Sequence, residues 1–487
     1  MFANATPINL LRNPIAASRA RSILACLSGM FRLSLRGFLH SGLLATLSGR
    51  VMAFAFVALT APALATPHIE HWQAPSGAQV YFVEDHGLPM LDVAVGFHAG
   101  SGFDTAQKSG VAAMTQNMLD LGAQGLSEDD ISRKLADIGA ELDGGFDQDR
   151  AGISLRTLSS AAERDQALSI MASVLQHPTF PAKVLEREKV RLIAALKEDE
   201  TRPEAIAGKK FAKAIYGDHP YGLPSSGEVA TVEKIQRADL TEFYSRHYGA
   251  KTAVVALIGD VTRPEAEAIA ERLTAQLPAG GASEQIPPVA MHIAASEQRI
   301  PHPASQSHIL IGAPGVSRTD PDYVTLYVGN YILGGGGFVS RLMNEVREKR
   351  GLAYSVYSYF IPMQQPGPFQ IGLQTKKESA DQALAVVRDT LRKFIADGPT
   401  QQELAAAKDN IIGGFPLRID SNRKILDYLS MIGFYGLPLT YLDDFPARVE
   451  KVTVAQIHDA FRRRVDPDAL ATVIVGAPDA PKAGPAK

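Results

Sequence analysis

The chain has 487 residues, 46% hydrophobic and 21% charged, with 49 basic and 52 acidic side chains. This is ordinary globular composition and too long for one typical core, so two domains are expected and a large disordered arm is excluded. No basic stripe is present to neutralise a phosphate backbone, which argues against a nucleic-acid partner.

Residues 1–65 differ from the rest. They hold six arginines (12, 19, 21, 32, 36 and 50) and no Lys, Asp or Glu. They close on RVMAFAFVALTAPALATP: a positive charge, an apolar run, then Ala63-Leu64-Ala65. That is the pattern of a secretory signal cleaved after Ala65, and the run is too short for a permanent transmembrane helix. An uncleaved membrane anchor is the alternative. The stretch before the run is long for a signal, and Met30 or Met52 are alternative starts. Cleavage would leave 422 residues with a net charge of about −9. It would also remove Cys26, the only cysteine, and with it any disulfide or thiol nucleophile. An oxidising compartment such as a bacterial periplasm is compatible with that composition.

Beyond residue 65, AQVYFVED and LDVAVGF alternate like strands. GVAAMTQNMLDLGAQ (110–124) follows as a helix, with Val111, Met114, Met118 and Leu121 on one face and Gly122 as its stop. Its centre holds Thr115, Gln116 and Asn117, none of which takes a proton near neutral pH. AERDQALSIMASVLQ reads as a further helix, and AVVALIG ends the first half as a strand. The second half repeats this order. DQAL at 165–168 recurs at 381–384, and VAVGF at 93–97 matches ILIGA at 309–313, both offset by 216. The segment from Val232 matches that from Val449 at an offset of 217, and Gly259 and Gly476 close the two. A period this long marks duplicated domains. Strands and helices mix without strict alternation. The expected fold class is therefore α+β: two homologous domains, each a mostly antiparallel sheet with helices packed on one face. The boundaries are 66–276 and 307–480, joined by a Pro-, Gly-, Ala- and Ser-rich linker over 277–306.

Metal chemistry needs N, O or S donors converging on a point, and neither H-x-x-E-H nor H-E-x-x-H occurs. HIEH at 68–71 is one residue short, and His219 in GDHPYG reads as a turn residue. Gly334–Gly337 is followed by Phe338 rather than by G-K-[ST], so a close-packed glycine turn is expected there and not a phosphate cradle.

VYFVEDHGLPMLDVAVGFHAGSGFD, YGDHPYGLPSSGE and LGGGGFVSRLMNEVREKRGLAYSVYS resemble the pitrilysin/insulinase family of zinc metallopeptidases, the inverted-zincin group that includes mitochondrial processing peptidase. The likeness spans about residues 67 to 480 and implies the same duplicated α+β fold. Active members carry H-x-x-E-H on a helix of the first domain, two His for zinc and the Glu to activate water. GVAAMTQNML lies in that place. Ala113 replaces the first His, Gln116 the Glu and Asn117 the second His. Ala195 in IAALKEDETRP stands where a third, glutamate ligand is expected. The resemblance therefore implies no metal and no cofactor in this chain. It also implies a retained pair in the second domain, Arg347 and Tyr354, able to hold a substrate carbonyl and its developing oxyanion, with Gly335, Gly336 and Gly337 near the substrate. The reading is a zinc-less subunit of a secreted, periplasmic heterodimeric metallopeptidase. It would be inactive alone and would act on unfolded peptides beside a zinc-bearing H-x-x-E-H paralogue of similar length. The alternative is a non-enzymatic scaffold or peptide-binding protein of the same fold, as the core subunits of the respiratory bc1 complex resemble this family.

Overall fold

The computed structural model describes residues 66–280 and 284–476. The expected targeting segment 1–65, with Cys26, lies outside the described residues. In the first half the strands are β1 (Glu70–Gln73), β2 (Gln79–Glu84), β3 (Met90–Phe97), β4 (Gly122–Ala123), β5 (Leu126–Ser127), β6 (Glu141–Phe146), β7 (Ala151–Leu158) and β8 (Val254–Gly259). The helices are α1 (Val111–Met118), α2 (Glu128–Asp137), α3 (Ala161–Gln176), α4 (Ala182–Asp199), α5 (Pro203–Tyr216), α6 (Val229–Val232), α7 (Arg237–His247) and α8 (Arg263–Thr274). The second half has β9 (Ser296–Ile300), β10 (Gln306–Pro314), β11 (Ala353–Phe360), β12 (Pro368–Lys376) and β13 (Ala471–Val475). Its helices are α9 (Tyr323–Asn330), α10 (Ala380–Asp397), α11 (Gln401–Gly413), α12 (Asn422–Tyr435), α13 (Tyr441–Glu450) and α14 (Val454–Arg464).

The two main sheets have the same topology. The first runs β1-β2-β8-β3-β7-β6 and the second runs β9-β13-β10-β12-β11, so β2, β3, β6, β7 and β8 correspond to β9, β10, β11, β12 and β13. Each is antiparallel except for one parallel pair, β2 with β8 and β13 with β9. The equivalent glycines Gly259 and Gly476 both take positive φ, 145° and 112°, where each chain leaves its strand. SEQRI, inside the stretch expected as linker, forms the edge strand β9. It has no alternating apolar face, and Glu297 and Arg299 pair with each other at its rim.

Each half packs its own helices on one face of its sheet. Val80, Phe82, Val93, Val95, Val255 and Leu257 meet α3 and α8 in one core. The opposite face receives a helix from the other half. Tyr81, Val83, Val254, Ala256 and Ile258 share a core with Leu426, Leu429 and Ile432 of α12. Reciprocally, Ala207, Phe211 and Ile215 of α5 pack on Ala471, Val473 and Val475 of β13. This exchange explains why β8 is buried at every position: a strand covered on both faces needs a continuous apolar run.

A polar knot ties the halves where α12 ends. The buried Asp149, in the β6–β7 turn, accepts from the hydroxyls of Tyr221 and Tyr435, the latter at 2.7 Å, and from the backbone N–H of Gln364 at 2.7 Å. Burial raises its pKa above the usual carboxylate range. Next to it the His98 ring stacks on Phe434, 4.3 Å between centroids.

Candidate functional site

The sequence singles out two places: the centre of α1, where the family's zinc chemistry is expected to be lost, and the glycine–arginine–tyrosine stretch of the second half, where the donor pair is expected to be retained. Asp104 fixes the start of α1. Its buried carboxylate accepts from the backbone N–H groups of Gly110 at 2.7 Å and Ala112 at 3.0 Å, while burial pushes its pKa up to about 7. Gly110 takes φ 95°, which turns the chain into the helix.

Each of the three polar residues on α1 is held. Thr115 donates to the Val111 carbonyl one turn back at 2.8 Å. Gln116 is buried: its amide donates to the Gly152 carbonyl on β7 at 2.8 Å, and its side-chain oxygen accepts from Tyr248 at 3.0 Å. Gly144 on β6 makes room, since a Cβ there would sit 2.8 Å from Nε2 of Gln116. The Gln116 amide thus pins the helix to the sheet, and an amide takes no proton from water. Asn117 is half-buried with its Nδ2 3.5 Å from Oε2 of Glu188 on α4. Glu188 is itself buried, and its other oxygen accepts from Arg187 at 2.8 Å and Arg191 at 2.9 Å. Ala195 is half-buried on the same helix, seven residues further along. It therefore shares the helix face of Glu188, about 10 Å away along the axis.

The donor set does not suit zinc. Ala113 is a buried methyl, Gln116 is committed to the sheet, and the remaining carboxylate, Glu188, lies between two guanidiniums. Among the described residues no three His, Cys, Asp or Glu side chains converge as a metal site requires. His71 bonds Gln79 at 2.9 Å. His219 caps a turn: Nδ1 accepts from the Tyr221 N–H, so Nε2 donates to the Pro287 carbonyl at 2.8 Å.

In the second half the structure brings the glycine turn, Arg347 and Tyr354 together. Gly334 packs against β11, where a Cβ would lie 2.4 Å from Oγ of Ser358, and Gly336 similarly abuts Tyr331. Gly335 abuts Asn330, and Gly337 needs no clearance but takes φ 62°. The chain then enters a π-helical turn, Met343–Glu348, anchored by the buried Leu342, Met343 and Val346, with Arg347 facing out. Such turns recur at functional sites. Tyr354 lies at an irregularity where the β11–β12 register shifts between Ala353 and Ser355. A residue at a bulge on an edge strand is thrown outward, and Tyr354 is 79% exposed. The Arg347 guanidinium sits 4.7 Å from the Tyr354 ring and 4.7 Å from the ring of Phe338, itself 66% exposed. Its carboxylate neighbour is Glu348 at 3.5 Å. The rings hold the cation by cation–π attraction and leave its N–H edge and the tyrosine hydroxyl as oriented donors. Glu188, Tyr248 and Phe338 belong to these two places and had no motif to mark them.

Comparison with known proteins identifies the family. Residues 80–228 match the family described as insulinase (peptidase family M16), and residues 234–411 match the peptidase M16 inactive domain. A solved structure described as a peptidase M16 inactive domain, from Pseudomonas fluorescens, is 40% identical with a TM-score of 0.82, covering 85% of this chain and 99% of that one. A non-peptidase homolog, YmxG of Helicobacter pylori, is 27% identical over 86% of this chain and 96% of its own length. An uncharacterized zinc protease, YmxG of Bacillus subtilis, is 24% identical over 72% of this chain and 85% of its own. On the sequence, the shared topology and this coverage, the chain belongs to the M16 insulinase family of peptidases.

Proposed function

We propose that this chain is the zinc-less subunit of a secreted, periplasmic two-subunit peptidase, with residues 1–65 removed on export. A paralogue of similar length bearing H-x-x-E-H would hold zinc, which supplies the activated water. This chain contributes substrate binding and the donors Arg347 and Tyr354, which steady a peptide carbonyl and its developing negative charge in trans. Gly335, Gly336 and Gly337 shape the approach to that pair. The observation that carries the reading is the preorganised pair of a half-buried Arg347 and an exposed Tyr354 in a chain whose own α1 has no base. A strand tyrosine kept for packing would be buried. The open edge strand β6, with exposed Gly144 and Gly145 beside α1, suits an extended peptide added as a further strand.

The test is co-expression with the H-x-x-E-H paralogue of the same genome. The expected result is a one-to-one complex on size-exclusion chromatography that cleaves an unfolded peptide neither chain cleaves alone. Equal cleavage by the paralogue alone would remove the catalytic role. A complex without any rate effect would leave the scaffold reading.

A further inference from the structure

Beside the glycine turn, the second half gathers two arginines whose side chains meet tyrosines and no carboxylate among the described residues. Arg318, in the loop between β10 and α9, is half-buried and has its Nε buried with no partner. It donates weakly to the Tyr323 hydroxyl at 3.4 Å, and its guanidinium lies 5.4 Å from the Tyr323 ring. Arg418, exposed after α11, donates to the Tyr327 hydroxyl at 2.6 Å and also reaches Tyr428 on α12. Neither arginine has an ion-pair partner among the described residues. The nearby carboxylates are engaged elsewhere: Asp320 and Asp322 by Arg463 and Arg464, and Asp420 by Lys424.

The tyrosines spend their acceptor oxygens on the arginines, and their hydroxyl protons remain for something else. Two guanidiniums with Tyr323, Tyr327 and Tyr428 form a donor-rich, acceptor-poor cluster, half-buried and reaching solvent at Arg418. That is the chemistry that binds a carboxylate. Tyr331 makes the surface continuous with the proposed site. It feels Tyr327 and Arg418 electrostatically on one side and abuts Gly336 on the other.

We propose that Arg318 and Arg418, with these tyrosines, bind a carboxylate of the peptide whose carbonyl lies at Arg347 and Tyr354. The inference rests on the reading that the chain binds peptides. The carboxylate is either the peptide's C-terminus or an acidic side chain.

The test uses three fluorescent unfolded peptides of otherwise equal composition, titrated into the purified chain at fixed ionic strength and followed by anisotropy. One is neutral and amidated, one is neutral with a free C-terminus, and one is amidated with a central Glu. The expected result is an affinity gain of about tenfold or more for one carboxylate peptide over the neutral amide, as hydrogen bonds to a charged group provide. Which peptide gains identifies the source. Arg318→Gln with Arg418→Gln should abolish the gain and leave the affinity for the neutral amide unchanged, while Arg418→Lys alone retains part of it. Unchanged melting temperatures show that the variants fold. Equal affinity for all three peptides, or a gain that survives the double substitution, overturns the proposal. Failure to bind any peptide overturns it together with the peptide-binding reading, whereas loss of the gain alone leaves that reading standing.

Discussion

Replacing Gln116 by Glu restores the residue type expected at this position in an active family member, and the structure makes it destabilising. The amide now donates to the Gly152 carbonyl at 2.8 Å and accepts from Tyr248 at 3.0 Å, in a buried place. An ionised carboxylate keeps the Tyr248 bond but has no proton for Gly152, so two oxygens face each other away from water. The lost side-chain bond to this ladder carbonyl costs about 0.5–1.5 kcal/mol, and the facing oxygens and the uncompensated buried charge add to it. We expect Gln116→Glu to lose about 3 kcal/mol or more at pH 7. The loss depends on pH with a defined sign. The folded site favours the protonated acid, so its pKa lies above the unfolded value of about 4.3, and each pH unit of difference removes about 1.4 kcal/mol once both forms are ionised. Below about pH 4 the acid is protonated in both states and donates to Gly152, and the penalty largely disappears. The assay is urea denaturation of wild type and variant at pH 4 and pH 7, comparing differences so that other titrating groups cancel. A penalty that is absent at pH 7, or equal at both pH values, would refute the account of Gln116 as a buried tie between helix and sheet.

His98 is held neutral by burial, with its pKa lowered to about 4 from 6.5. Its contribution to stability is complete above pH 6.5 and is lost as pH falls toward 4, to a total of about 3 kcal/mol; His98→Phe should flatten the stability curve over that window in calorimetry. Asp149→Asn leaves one acceptor oxygen where the carboxylate serves Tyr221, Tyr435 and Gln364, and should cost about 2–4 kcal/mol in urea denaturation, with a lower unfolding slope if the halves then separate. The purified chain should carry no stoichiometric zinc by elemental analysis, given Ala113, Gln116, Asn117 and Ala195 in the motif positions. Ala113→His, Gln116→Glu, Asn117→His and Ala195→Glu together should bind it only weakly. Arg187 and Arg191 still hold Glu188, and surrounding partners matter about 10- to 100-fold for metal affinity.

Repetition made the fold legible. Register matches at 216 and 217 residues, closed by Gly259 and Gly476, correspond to strands at equivalent places in two sheets of one topology. The missing donors on α1 were equally visible, because a motif defined by residue type at fixed spacing reports its own loss. The exchange of α5 and α12 was not legible. An amphipathic period shows that a helix has an apolar face but not which sheet it covers. The partners of Gln116 lie 36 and 132 residues away, and Glu188 is one charge among many in LEREKVR. β6, ELDGGF, was hidden by its two glycines, which weaken any strand pattern. Phe338 reads as a lone surface aromatic until the glycine turn and the bulge at Tyr354 place both rings on Arg347.

The central claim, that this chain lends donors to a partner's catalysis, is tested most directly by kcat of the reconstituted pair carrying Tyr354→Phe. The substitution removes one exposed hydroxyl and keeps the ring beside Arg347, so folding and assembly should persist. Loss of one oxyanion donor costs roughly 2.7–4 kcal/mol, and kcat should fall about 10²- to 10³-fold with the complex intact on size-exclusion chromatography. Arg347→Ala should act in the same direction, and the double variant should lose less than the sum, since both groups serve one carbonyl. An intact complex turning over at the wild-type rate with Tyr354→Phe would contradict the account.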